Sequence, residues 1–175
     1  MWTEINVDNF LYNINQIKKK VGNSEIIGVV KANAYGHGAI EISEILIKSG
    51  INKLAVANIV EAIELRDNCI DCNIMILGIS EIYAIDSILK YNIEPTISSL
   101  DFALELNKRA IKLNQLVKVH IAIDSGMGRI GFVCSEDNFD VAVSEAEEAA
   151  KLPNIRVTGA FTHFASADEP DPDGT

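Results

Sequence analysis

Apolar residues along this chain follow two alternating spacings. Short runs rich in Ile, Val and Leu, at residues 26–31, 54–57, 73–77, 94–97, 117–123 and 156–162, read as strands. Between them apolar positions recur every three or four residues, as on one face of a helix. The helical sets are Phe10, Ile14, Ile17 and Val21; Ile42, Ile45 and Leu46; residues 60–67 and 82–91; Leu100, Ala103, Leu104 and Ile111; and Phe139, Ala142 and Ala146 within 137–151. The punctuation agrees. Asp8, Ser99 and either Ser135 or Asp137 stand where helix caps belong, Gly50 closes a helix, and Gly78 follows the run 73–77 as its stop. Residues 2–7 alternate in part and predict a further short strand at the start.

Strand and helix in strict alternation predict an α/β fold with a parallel sheet. Six such strands after the opening one fit an open doubly wound sheet or most of a closed barrel. The chemistry-bearing residues favour the barrel. Lys31, Leu77, Asp124 and His163 each fall at or just past the C-terminal end of a strand. In a barrel those ends share one face, whereas an open sheet leaves its outer strands far from a common cleft. The expectation is a TIM-type (β/α)8 barrel, incomplete in this chain, with about six of its eight units present. No pattern for a seventh or eighth strand follows residue 162, so the chain reads as part of a longer protein.

Composition narrows the function. Apolar residues make up 48% of the chain, which supports a sizeable core and excludes disorder. A net charge of −10 argues against nucleic acid or an anionic membrane as partner. No apolar run reaches membrane-spanning length, and the first residues lack a basic segment followed by an apolar one, so the expected location is the cytoplasm. Cys69 and Cys72 form a C-x-x-C pair without the second pair that a structural zinc site needs, and Cys134 stands alone. They read as incidental thiols.

Three stretches carry candidate chemistry. In Val29-Val30-Lys31-Ala32-Asn33-Ala34-Tyr35-Gly36-His37-Gly38 an apolar strand delivers one amine and then turns through small residues. Burial there would disfavour the charged ammonium and free a nucleophile able to form a Schiff base with an aldehyde or ketone. The competing reading is a lysine that ends a strand and reaches out to water. Tyr35 can offer a hydroxyl to the same cavity, Gly36 and Gly38 allow close backbone approach, and His37 and Asn33 read as loop and packing residues. The second stretch, Gly126-Met127-Gly128-Arg129-Ile130-Gly131, matches G-x-G-x-x-G after a strand. A dinucleotide site would need these glycines to open a helix, but Phe132-Val133-Cys134 continue as an apolar segment. Arg129 inside the turn points to recognition of a carboxylate or phenolate instead. The third is Thr162-His163-Phe164-Ala165-Ser166-Ala167-Asp168, where His163 follows a strand end. Alone, it reads equally as a satisfied core histidine. The acidic run Asp168, Glu169, Asp171 and Asp173 reads as a solvated loop, so no metal is expected.

Taken in order, these three stretches resemble the motifs of the alanine racemase family, barrel-type enzymes that use pyridoxal 5'-phosphate (PLP). The resemblance implies the barrel over residues 8–175, and an opening strand at 1–7 that pairs with a C-terminal β domain. It implies PLP bound on Lys31 as a Schiff base, with Lys31, Tyr35, Leu77, Arg129 and His163 as cofactor-binding residues. Tyr35 would meet the phosphate, and Arg129 the phenolic oxygen and the substrate carboxylate. His163 would help orient an arginine and a tyrosine located beyond Thr175. Lys31 would be the base on one face of the substrate and a tyrosine of a partner subunit the base on the other, making the enzyme a homodimer. The implied function interconverts L- and D-alanine for cell-wall precursors, with residues 1–175 alone inactive. A serine racemase, a non-enzymatic PLP-binding barrel and a fragment kept as a structural piece are the alternatives. One departure stands out. Many members carry a carbamylated lysine two positions before the Asp124 equivalent, its negative charge steadying the arginine, and here that position is Ala122.

Overall fold

The first helix begins at Asn6 rather than at Asp8. In the computed structural model, which describes residues 3–167, the Asn6 side chain accepts the Asn9 N–H at 2.9 Å and caps α1 (Val7–Val21). Asparagine in an extended conformation at this position ties up one of the helix's orphan donors. Asp8 falls in the first turn, where its charge meets the positive end of the helix dipole, and Lys18, Lys19 and Lys20 occupy the last. Residues 3–6 pair with no strand of this chain and Val7 already belongs to α1; Met1 and Trp2 lie outside the described residues.

The chain divides into two compact units, with the boundary after Met75. In the first, β1 (Gly28–Val29) and β2 (Lys53–Val56) pair in parallel, Gly28 opposite Leu54 and Val29 opposite Ala55. β1 is shorter than the apolar run 26–31 because the backbone leaves the extended form at Lys31 and enters a short helical segment, α2 (Lys31–Tyr35). α3 (Ala39–Lys48) packs Ile42, Ser43 and Leu46 inward. It lies so close to β1 that a Cβ on Gly28 would stand 2.6 Å from a Leu46 methyl. α4 (Ile59–Asp67) is capped by Asn58, whose side chain accepts the Val60 and Glu61 N–H groups. β3 (Asn73–Ile79) starts in this unit and runs on into the second. It passes through Gly78, which therefore does not stop it as expected.

In the second unit a 3₁₀ turn (Ile82–Ala84) leads into α5 (Ile85–Lys90), where the apolar spacing predicts one continuous helix. Then follow β4 (Glu94–Ile97), α6 (Leu100–Lys112), β5 (Val117–Asp124), β6 (Phe132–Val133), α7 (Phe139–Ala150) and β7 (Ile155–Thr162). Ser99 caps α6 through the Phe102 N–H, as its position predicts. α7 starts after Asn138 with no side-chain cap, so neither Ser135 nor Asp137 serves. β5 is the central strand. β4 pairs with one edge (Thr96 opposite His120) and β7 with the other (Gly159 opposite His120), both parallel. Ile85, Ile88, Leu106 and Val119 are wholly buried between sheet and helices.

One buried pair lies within this sheet. The His120 Nε2 and Glu94 Oε2 atoms are 2.8 Å apart, with side chains 7% and 6% exposed. A bulge between Val119 and His120 brings Thr158 to the pair, its hydroxyl 3.3 Å from His120 Nε2. Gly159 makes the room: a Cβ there would stand 2.8 Å from His120 Nδ1. Among the described residues, no helix is long and apolar enough to cross a membrane.

Candidate active site

Lys31 comes two residues after the end of β1, past Val30, and opens the turn rather than ending the strand. The four residues after it, Ala32, Asn33, Ala34 and Tyr35, have φ of 51°, 53°, 50° and 55°, a turn of left-handed helix. For L-residues this costs about 1–2 kcal/mol each, so partners must hold it. Some are local: the Ala34 N–H donates to Val30 O at 2.9 Å, and the Gly36 and Gly38 N–H groups return to Asn33 O. The Asn33 side chain accepts the Ala39 N–H at 2.8 Å and so joins the turn to the start of α3. His37 Nδ1 sits 2.8 Å from Ala34 O. One partner is distant. Glu61, in the first turn of α4, accepts the Ala32 N–H at 2.9 Å through one oxygen and the Ala57 N–H at 2.7 Å through the other. Lys31 is partly exposed, and its Nζ lies 6.0 Å from the centre of the Tyr35 ring, itself 62% exposed.

Asn33 and His37 thus do more than fill a loop, and Glu61 is a residue that the sequence reading passed over. Its signal was available. Asn58-Ile59-Val60-Glu61 is an N-x-x-E capping-box pattern, in which the glutamate turns back to the helix start. Glu61 does turn back, to Ala57, but its second oxygen reaches the residue after Lys31.

In the second unit the organiser is Asp124, at the end of β5. Its Oδ1 accepts the Gly128 N–H at 2.9 Å and the Gly126 N–H at 3.1 Å, folding the glycine loop over it. These bonds hold its carboxyl below the usual carboxylate range. A depressed carboxylate stabilises the fold above the ordinary aspartate value, and that contribution is lost as pH falls from about 4 downward. The loop then returns as β6, a strand that the sequence pattern did not announce, with Phe132 opposite Ile123 and Val133 opposite Asp124. No helix opens within residues 126–131, in agreement with setting aside the dinucleotide reading. Gly131, with φ of 122°, passes so near β5 that a Cβ would stand 2.7 Å from Asp124 N and 2.8 Å from the Ala122 carbonyl. Gly131→Ala is accordingly expected to cost about 2 kcal/mol, read as a fall in thermal midpoint, because backbone on both sides must give.

Arg129 is exposed at the tip of this loop and borders a cavity of about 580 Å³ with Ile79, Ser98 and Cys134. On the other side it shares a small crevice with Asp124, Met127 and His163, the residue just after β7. A hydroxyl pair, Ser125 to Thr162 at 2.6 Å, ties the ends of β5 and β7 beside it. The structure thus brings Arg129 to His163 in one unit and Lys31 to Tyr35 in the other. Leu77 is half-buried within β3 and lines neither of the two cavities. Ala122 is 1% exposed and stands opposite Phe161 on β7, so the wall below the glycine loop is apolar there. The acidic run 168–173 lies outside the described residues.

The family model described as alanine racemase, N-terminal domain, matches residues 5–175. The alanine racemase of Clostridium kluyveri is 50% identical over 171 residues, which is 98% of this chain and 43% of that protein. Among solved structures, the alanine racemase of Clostridium difficile 630 in complex with cycloserine superposes with a TM-score of 0.92 at 43% identity, over 98% of this chain and 46% of that one. The histidine racemase of Leuconostoc mesenteroides superposes with a TM-score of 0.83 at 27% identity, over 96% of this chain and 44% of that one. The chain therefore spans less than half the length of these relatives, and its parallel β/α units are those of their TIM-type barrel. With nearly every residue inside the match, the chain belongs to the alanine racemase N-terminal-domain family.

Proposed function

We propose that the protein carrying this chain is a PLP-dependent alanine racemase in which Lys31 holds the cofactor and exchanges the substrate Cα proton on one face. The observation that carries this reading is the single amine presented beyond β1 at the head of a left-handed turn. The donor set fits PLP. Lys31 would offer a primary amine for its aldehyde, with the Tyr35 ring centre 6.0 Å away; taken by itself, the second unit has a guanidinium and an imidazole, those of Arg129 and His163, bordering one crevice. When bound, PLP supplies an electron-withdrawing ring that spreads the charge left at Cα once its proton departs. The remaining work belongs to the chain. The Lys31 amine would take the Cα proton in one direction of the reaction and supply a proton to Cα in the other, the opposite-face base doing the converse. Tyr35 donates its hydroxyl to the phosphate, and Leu77 contributes an apolar contact. Arg129, a permanent cation, pairs with the phenolic oxygen and the substrate carboxylate. His163 helps orient residues outside 1–175, an arginine and the tyrosine that serves as base on the opposite face. Inversion requires two bases on opposite faces, and the second comes from a partner subunit of a homodimer.

On the same reading, residues 1–7 join a C-terminal β domain, the enzyme works in the cytoplasm, and its D-alanine feeds cell-wall precursors. Alanine is preferred as substrate because relatives at 50% and 48% identity bear that name. The family resemblance to a histidine racemase makes a panel of amino acids the right assay. The test is borohydride reduction of PLP-loaded protein expressed from its complete gene, followed by peptide mapping. The pyridoxyl group is expected on Lys31; finding it on another lysine ends the proposal. Residues 1–175 expressed alone are expected to racemise L-alanine at background, and measurable turnover would show that the opposite-face base lies within them.

Ala122 leads to a further expectation. Its methyl group can form no carbamate; Arg129 is exposed to water in this chain, and once cofactor and the rest of the protein cover it the phenolate or a bound anion such as chloride would balance its charge. Asp124 is already engaged by the Gly126 and Gly128 N–H groups. Steady-state rates in degassed buffer are therefore expected not to change when bicarbonate is added, while Ala122→Lys should acquire such a dependence. A clear rise with the unsubstituted protein would mean that another lysine carries the carbamate.

A further inference from the structure

We propose that Glu61 is a positioning residue for Lys31: its carboxylate clamps the peptide group that follows the lysine and so fixes the direction of the amine. The inference rests on Lys31 being the reactive lysine.

The peptide joining Lys31 to Ala32 is where the backbone changes hand. Val30 has φ of −117°, while Ala32 has φ of 51°. The N–H of that peptide points at Glu61 Oε1, 2.9 Å away. The bond fixes the plane of this peptide and with it the rotation about the Lys31 Cα–C bond, at the residue from which the amine departs. Glu61 is itself anchored. Its other oxygen takes the Ala57 N–H at 2.7 Å, just after β2, the strand that pairs with β1. The carboxylate therefore bridges the ends of two adjacent parallel strands at the point where Lys31 departs. Few other side chains would serve. Glutamine has one acceptor oxygen, and its amide nitrogen would face a second N–H. Aspartate is one methylene shorter, and alanine leaves both amides without this partner.

A lysine that must take a proton from one face of a substrate depends on its angle of approach. Displacement by a fraction of an ångström is enough to slow transfer by about 10- to 100-fold. Loss of the clamp should therefore act on the step in which Lys31 moves the proton and spare the step of the opposite base. In the direction in which Lys31 removes the Cα proton, the substrate deuterium isotope effect on kcat/KM should rise. In the reverse direction it should fall, because donation by Lys31 then limits the rate. A carboxylate that only supports the fold would lower the amount of active protein and leave both isotope effects unchanged.

The test uses protein expressed from its complete gene, as Glu61→Ala, Glu61→Gln and, as a control on the exposed side of the same helix, Glu64→Gln. Cofactor-free protein is mixed with PLP, quenched with borohydride at timed intervals, and the label at Lys31 is counted by mass spectrometry. Isotope effects are then measured in both directions with Cα-deuterated alanine. Labelling at Lys31 is expected to slow at least about tenfold in Glu61→Ala, less in Glu61→Gln, and not at all in Glu64→Gln, with the isotope effects diverging in the same order. If Glu61→Ala fails to fold, Glu61→Gln carries the test. If the unsubstituted protein labels at Lys31 while Glu61→Gln labels as fast and shows unchanged isotope effects, the proposal is overturned. If the unsubstituted protein labels elsewhere, the reading of Lys31 itself falls.

Discussion

In protein expressed from its complete gene, the proposed function predicts that Lys31→Ala folds normally and lowers alanine racemisation by about 10⁴-fold. The side chain is partly exposed and anchors no strand pairing, so its truncation should shift stability by no more than a few tenths of a kcal/mol. Its chemistry has no substitute nearby. Tyr35 carries the adjacent polar group, a phenol, which cannot condense with an aldehyde. Lys31→Arg separates charge from nucleophilicity, since a guanidinium keeps the charge and cannot give up its proton. It should be as inactive as the alanine variant. A small primary amine such as methylamine in the buffer should restore part of the alanine variant's activity, and none of the arginine variant's, whose side chain still fills the space. Activity within tenfold of the unsubstituted protein in either variant would remove Lys31 from the mechanism.

The largest expected effect on stability comes from the pair inside the second unit. His120→Ala takes the 2.8 Å partner from a Glu94 carboxylate that is only 6% exposed, and opens a hole beside Thr158 and Gly159. Removing one member of a buried hydrogen-bonded pair and leaving a cavity costs about 2–4 kcal/mol, which is a fall in thermal midpoint of roughly 4–16 °C at this size. Replacing both members by leucine should cost less than the single change, because the polar pair is removed together and the space is refilled. Thermal unfolding of the two single variants and the double variant forms a cycle that measures the coupling. A midpoint within one or two degrees of the starting protein for His120→Ala would mean that the carboxylate is well served by its other neighbours.

The regular part of this fold was legible because period carries it. The six strands between residues 28 and 162 and the helices between them emerge from apolar spacing alone, and Ser99 from its place before a run. What was missed depends on partners remote in sequence. Nothing in the apolar spacing of Ala-Asn-Ala-Tyr announces a left-handed turn; besides its local bonds, the peptide before Ala32 is held by Glu61, 29 residues away. β6 is two residues long and flanked by glycine, too short for any period to show. Gly78 was read as a stop, yet a strand held by its neighbours carries a glycine without breaking. At Val7 the alternation already gives way to the helix that Asn6 caps. Of the proposed site residues, Lys31 and His163 stood out by residue type near a strand end and Arg129 by its place in a glycine turn. Glu61 showed only as a capping-box pattern, which does not announce bonds to Ala57 and Ala32.

Parallel strands ordinarily need a crossover of a dozen residues or more, but β5 and β6 are joined by the seven residues between Asp124 and Phe132. Both ends of that excursion are sewn to the same strand, at Asp124 O by the Cys134 N–H and at Asp124 Oδ1 by Gly126 and Gly128. Such a segment has few ways to open partially. Releasing one amide strains the others, so in hydrogen exchange Gly126, Gly128 and Cys134 should trade their protons together, at one common rate faster than the buried middle of β5. Arg129 then has two conditions rather than a range, seated or released, and the carboxylate beneath it decides which.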